Sequence, residues 1–190
     1  QAQNDWKKNM DFITNNLNYL IWGSVGITIS YGLFLVSQVL SKPAGDAKML
    51  EIAKAIQEGA NAYLKKQYSV IAIVALVMAA FIYYALSLNT AIGFLVGAFL
   101  SALAGFIGMS VSVRVNVRVA EAAKTGLIPA FNLAYKGGAV TGFLVVGLGL
   151  LVVAGFWQWA RDLTALIGVG FGGSLISVFS RLGGGIYTKA

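Results

Sequence analysis

The sequence contains no cysteine and no histidine, and it carries little charge. Without cysteine the chain has neither disulfides nor a thiolate nucleophile, and without histidine it lacks the usual general base and metal ligand. Charged residues are 11% of its 190 residues and hydrophobic residues are 58%, whereas a soluble domain is about 25% charged. This balance indicates a polytopic membrane protein.

The formal net charge of +7 does not indicate a nucleic-acid partner, because the basic residues lie between apolar runs rather than on one face. Those runs are long enough to cross a bilayer of about 30 Å. The sequence therefore predicts an all-α membrane protein with five transmembrane helices. The predicted spans are residues 17–40, 68–88, 91–113, 137–159 and 163–182.

Polar segments separate these spans. Residues 1–16 are expected to be a partly ordered terminus, and residues 47–67, 114–136 and 183–190 are expected to extend the helices beyond the membrane. Pro43 and Gly45 break the chain, and Asp46 can cap a helix that runs unbroken from about Ala47 into the second span. An amphipathic segment lying on the membrane surface is the alternative for residues 47–67.

The short connections are predicted from their residue types. Asn89 with Thr90, and Arg161 with Asp162, are expected to form tight turns, while Gly126 and Pro129 are expected to end the helix that leaves the third span. That span also carries two pairs of small residues four apart. Such pairs let helix backbones approach closely in lipid, so they predict packing faces. The pairs are Gly93 with Gly97, and Ser101 with Gly105.

The basic residues are distributed unequally between the two ends of the predicted helices. One end has Lys7, Lys8 and Arg161. The other end has Lys42, Lys48, Lys54, Lys65, Lys66, Arg114, Arg118, Lys124, Lys136, Arg181 and Lys189. The positive-inside rule therefore places the N-terminus outside and Lys189 in the cytosol.

The last apolar run acquires Ser174, Arg181, three glycines at 183–185 and Lys189. Ser174 and Arg181 are seven apart and share a helix stripe, and Lys189 lies about 12 Å further along the axis at 1.5 Å per residue. This polar end is suited to an anion. Alternatively, Arg181 and Lys189 only extend to the membrane interface, and the glycines are a loose helix end or a packing site. A phosphate-binding loop is excluded, because Lys189 does not follow glycine.

The run FSRLGGGIYTKA at 179–190 resembles the fifth transmembrane helix of the membrane-integral, ion-pumping pyrophosphatases, and EIAKAIQEGANAYLKKQY at 51–68 resembles the same family. The resemblance implies the N-terminal part of a pump that couples pyrophosphate hydrolysis to proton or sodium translocation. It implies that Lys189 binds pyrophosphate, that Arg181 belongs to the ion pathway beneath that site, and that Ser174 lies near the gate.

The resemblance also implies Mg²⁺, allows K⁺ as a second cofactor, and implies a homodimer in a prokaryotic plasma membrane or a vacuolar membrane. The acidic residues are scattered, so the metal ligands and catalytic residues are expected in the remaining helices of the same protein, and this chain alone is expected to be inactive. The alternatives are part of a secondary transporter or channel for an anionic solute, and a non-catalytic scaffold built on small-residue packing.

Overall fold

The computed structural model describes the backbone of residues 2–187 and the side chains of Phe12, Ile13 and residues 16–180. Every regular element in that part of the chain is a helix, and five helices are long and apolar enough to cross a membrane. The predicted all-α fold with five spans is therefore confirmed. The helices are α1 Ala2–Leu40, α2 Ala47–Ala85, α3 Leu88–Ala123, α4 Leu127–Ala160 and α5 Leu163–Tyr187.

The first two helices begin differently from one another. Helix α1 starts at Ala2, so the backbone of the polar N-terminal segment from Ala2 onward belongs to the helix. Helix α2 begins where predicted, because the Asp46 carboxylate accepts a hydrogen bond from the Met49 backbone amide at 3.0 Å. Its 39 residues rise about 58 Å without a break, so the alternative of a separate surface segment is not found.

Two of the predicted connections lie elsewhere. The Ser87 hydroxyl accepts a hydrogen bond from the Thr90 amide at 3.2 Å, so Ser87 caps α3, and Asn89 and Thr90 form its first turn rather than the connection. Pro129 does not end α3, since it lies in the first turn of α4, where a helix tolerates a residue without an N–H donor.

The remaining turn predictions are confirmed. Gly126, at φ 140°, separates α3 from α4, and only glycine adopts that backbone conformation readily. Arg161 takes the left-handed conformation at φ 50° and ends α4, so Arg161 and Asp162 connect α4 to α5 as predicted.

Helix α3 lies at the centre of the bundle and packs against α5, α4 and α2, while α1 packs mainly against α4. Short connections make successive helices antiparallel, and two contacts identify the ends that they share. The Asn18 and Gln158 side chains meet at 3.5 Å at one end, and Lys124 contacts Asp46 at 3.4 Å at the other. The described loops therefore lie at the two ends of the bundle in the same grouping that was used to count the basic residues.

The closest packing is between α3 and α5. A methyl group added to Gly93 or Gly97 of α3 would collide with a backbone carbonyl oxygen of α5, and the Ser101 hydroxyl donates to the Gly173 carbonyl oxygen at 3.1 Å. The predicted packing role of these three residues is confirmed. Gly105 instead lies against the Tyr68 hydroxyl of α2.

Candidate functional site

Helix α5 has one face buried against α3. Ala165, Val169 and Ile176 are at most 3% exposed. Gly168 and Gly172 lie between them, and a Cβ atom at either position would collide with a backbone carbonyl oxygen of α3, that of Thr90 or Phe94. This contact fixes the position and the rotation of α5 on backbone atoms rather than on adaptable side chains.

The opposite face of α5 is largely uncovered by the other described helices; its one ring contact with them is that of Phe171, whose centroid lies 5.7 Å from that of Phe94 of α3. Ile167 is 71% exposed, Phe171 46% and Val178 51%, and Ser174 lies between them and is also exposed. Their spacing of three or four residues places all four on one side of the helix. We call these four residues the open stripe.

Position 181 continues the register of the open stripe, seven residues after Ser174. The backbone of α5 remains helical through the glycines at 183–185 to Tyr187, so these glycines do not form the loose helix end considered above. The side chain of Arg181 and the whole of Lys189 lie outside the described residues. The predicted order of hydroxyl, guanidinium and ammonium along the helix therefore stays a prediction.

Ser174 is the one polar residue of the open stripe. Helix faces that contact lipid are apolar, and polar groups within a membrane typically face neighbouring helices or a water-filled cavity. Ser174 is therefore the one residue of the open stripe whose side chain favours a protein or water neighbour over lipid.

A second set of hydroxyl groups on α5 lies toward a different region. Ser177 and Ser180 line a cavity of about 440 Å³ between α3, α4 and α5, and Ser101 of α3 lines it too. Ser174 does not line this cavity, because a rise of six residues from Ser174 to Ser180 turns the helix by about 120° at 3.6 residues per turn. On α5, the sequence assigned a role only to Ser174. The signal for this second region was the packing face of small residues on α3, which includes Ser101.

Helix α2 contacts α5 just before position 181. The Gln67 side-chain amide donates to the Phe179 carbonyl oxygen at 2.9 Å. This bond links the last residue of the segment that the sequence predicts to extend α2 beyond the membrane to the polar end of α5. The sequence assigned residues 51–68 no catalytic role. A hydrogen bond between residues 112 positions apart leaves no local pattern that would have revealed this contact.

The acidic residues of the described chain do not form a metal site. No three His, Cys, Asp or Glu side chains in that part come together. Asp46 and Glu121 approach one another through Lys124, which lies 3.4 Å from the first and 2.6 Å from the second. The hydrogen bond from the Met49 amide, and secondarily Lys124, lower the pKa of Asp46 from its usual value.

Comparison with known proteins identifies the family. The family model described as inorganic H⁺ pyrophosphatase matches residues 26–190. A relative from Methanosarcina mazei is 48% identical over 166 residues, covering 86% of this chain and 25% of that protein. A relative from Chloroflexus aurantiacus is 42% identical over 200 residues, covering 90% and 26%. Both are named K(+)-insensitive pyrophosphate-energized proton pump.

A third relative, from Moorella thermoacetica, is named K(+)-insensitive pyrophosphate-energized proton pump 2 and is 42% identical over 172 residues, covering 86% of this chain and 25% of that protein. The chain thus spans about a quarter of the length of these relatives. With a family model that matches almost the whole sequence and five helices that can span a membrane, the chain belongs to the inorganic H⁺ pyrophosphatase family.

Proposed function

We propose that these five helices are the N-terminal part of a pump that uses cytosolic pyrophosphate hydrolysis to move protons across a membrane. The match over residues 26–190 and the names of the relatives support this proposal. The same names favour protons over sodium as the transported ion. They do not favour the alternative of a secondary transporter, which would use no pyrophosphate.

In this proposal α5 connects the ion pathway to the substrate site. Ser174 and Arg181 belong to the ion pathway along the open stripe, and Lys189 binds pyrophosphate with its ammonium group, since lysine serves as a point charge for phosphate. The structural observation that carries this role of α5 is the open stripe. It leaves one side of a rigidly held helix available to the remaining helices of the same protein.

The metal chemistry belongs to those remaining helices. Mg²⁺ neutralises charge on transferring phosphoryl groups and orients the attacking water, and its carboxylate ligands are expected beyond this chain. The names of the relatives describe them as K(+)-insensitive, which supports a pump that does not use K⁺ as a second cofactor. We therefore expect hydrolysis without added K⁺.

The proposed orientation has the N-terminus outside and the connections 41–46 and 124–126 in the cytosol. Its support is the positive-inside rule, applied to ends that the Lys124–Asp46 and Asn18–Gln158 contacts group together. The organisms of the relatives favour a prokaryotic plasma membrane. The complete protein is expected to act as a homodimer.

The decisive experiment uses the full-length protein in sealed membrane vesicles. Replacing the ammonium group in Lys189→Ala should abolish pyrophosphate hydrolysis, because the substrate loses a direct cationic contact. The matched control is Lys54→Ala, which removes an exposed lysine from α2 and should keep wild-type hydrolysis. Wild-type turnover and KM in Lys189→Ala would contradict the assigned role.

A further inference from the structure

A second feature of the chain lies away from the open stripe. Helices α2 and α3 enclose a largely apolar groove of about 740 Å³ on the side of α2, with Ile176 of α5 contributing to its lining. Ile71 and Leu76 of α2 line one wall, and Phe99 and Phe106 of α3 line the other. Lys65 is the one charged residue in the lining, and it lies at one end.

The depth of the groove matches one leaflet of a bilayer. Lys65 and Leu76 are eleven residues apart on α2, which is about 16 Å at 1.5 Å per residue. Half of a hydrocarbon core of about 30 Å is about 15 Å. A chain whose polar end is at Lys65 would therefore reach the middle of the membrane beside Leu76.

At the Lys65 end of the groove, one polar group is already hydrogen-bonded and another is exposed. The Tyr68 hydroxyl donates to the Ala102 carbonyl oxygen at 3.0 Å and so joins α2 to α3 at the mouth of the groove. Lys65 is exposed, and the ion pairs of the described side chains both belong to Lys124 rather than to Lys65. The mouth of the groove therefore presents a positive charge without a described carboxylate partner.

The walls of the groove differ from the helix-packing surface of the same bundle. At the α3–α5 contact, glycines let two backbones touch, as helix association in lipid favours. The groove instead has bulky side chains at its edges, and Leu76 and Phe99 are 63% and 67% exposed. Small residues line its floor, namely Ala72, Ala75, Ala98 and Ala102. Flexible hydrocarbon fits over this floor and between the bulky edges without hydrogen bonds.

We propose that this groove binds one acyl chain of an anionic phospholipid, with the lipid phosphate contacting Lys65. The charge of Lys65 selects an anionic headgroup, as basic residues at a membrane surface do, and the apolar trench selects the acyl chain. This site is independent of pyrophosphate, so its failure and that of the proposed function can be distinguished.

The test is native mass spectrometry of the full-length protein, purified with equal amounts of phosphatidylglycerol and phosphatidylcholine that carry the same acyl chains. We expect wild-type protein to retain phosphatidylglycerol preferentially. Lys65→Gln should lower that retention about fivefold, the effect expected of one lysine near an anionic surface. The matched control is Lys66→Gln, because Lys66 is the next residue in the chain and does not line the groove. This variant should leave retention unchanged.

A second pair of variants tests the trench. Ala72→Trp places an indole in the groove, whereas Ile73→Trp places it on an exposed position of α2 outside the lining. Retention should be lost in the first variant only. Equal retention in Lys65→Gln and wild type, or in Ala72→Trp and Ile73→Trp, would overturn the proposal and leave the groove to another segment of protein. The surface variant Lys65→Gln decides the matter if Ala72→Trp does not fold.

Discussion

The close contact between α3 and α5 makes a quantitative prediction about two glycines of one helix. A Cβ atom at Gly172 would lie 2.9 Å from the backbone nitrogen of Ala98 and would collide with the carbonyl oxygen of Phe94. A Cβ atom at Gly170 would have no neighbour within 4 Å among the described residues. Gly172→Ala and Gly170→Ala therefore make the same chemical change on the same helix in opposite surroundings.

The magnitude follows from two opposing effects. Replacing glycine by alanine inside a helix stabilises it by roughly 0.5–1 kcal/mol, and this gain is common to both variants. Overpacking a well-packed interior costs about 1–3 kcal/mol, and it applies only at Gly172, where backbone atoms must move apart. The free energy of unfolding should therefore be about 1–3 kcal/mol lower in Gly172→Ala than in Gly170→Ala.

The measurement is unfolding of the full-length protein in mixed micelles, in which the fraction of a denaturing detergent is raised stepwise. Unfolding is followed by the loss of the helical circular-dichroism signal. A difference of about 1.4 kcal/mol changes the unfolding equilibrium constant tenfold, which is well within such an assay. Equal stability of the two variants would refute the backbone contact between α3 and α5. A stability gain in Gly172→Ala would refute it more strongly.

Three further predictions concern contacts between or at the ends of helices. Ser87→Ala should lower the free energy of unfolding by about 1 kcal/mol, because α3 loses its N-cap, and the same denaturation assay checks it. Gln67→Leu should cost about 1 kcal/mol through the lost hydrogen bond to the Phe179 carbonyl oxygen; an unchanged stability would contradict that contact. Lys124→Gln should raise the pKa of Asp46 only part of the way to its usual value, since the Met49 amide is the larger cause of the lowering. The pKa of Asp46 is lowered from 3.8, so any stability that its carboxylate contributes is present above about pH 4 and is lost as the pH falls through the folded-state pKa. NMR titration of the Asp46 carboxyl carbon measures this pKa in both proteins.

Much of the fold was predictable because lipid imposes simple constraints on sequence. An apolar run of sufficient length must be a helix that satisfies its own backbone hydrogen bonds, and five such runs gave five helices. The start of α2 was also local information, since the Asp46 carboxylate caps a helix only three residues away. The predicted turn at Asn89 and Thr90 was wrong because α3 begins earlier, at the N-cap Ser87. The Ser87 hydroxyl accepts a hydrogen bond from the Thr90 amide.

The partners of the small residues were not predictable in the same way. The spacing of Gly93 and Gly97 predicts a contact with another helix but does not identify that helix. Gly168 and Gly172 of α5 have the same four-residue spacing, yet five helices offer many possible pairings. The hydrogen bond from Gln67 to α5 joins residues 112 positions apart, so only the assembled bundle reveals it.

The candidate site stays a prediction from the sequence, and the structure adds the side of α5 on which it would lie. The family resemblance suggests roles for residues at matching positions of the sequence. The seven-residue spacing then places Ser174 and position 181 on one side of α5. What register alone does not supply is which side of α5 stays uncovered. The glycine contact with α3 decides this, because it fixes the rotation of α5 and leaves the stripe from Ile167 to Val178 exposed. The side of the helix that carries the proposed ion pathway is thus determined by the opposite side, where residues with no chemical role of their own allow two backbones to touch.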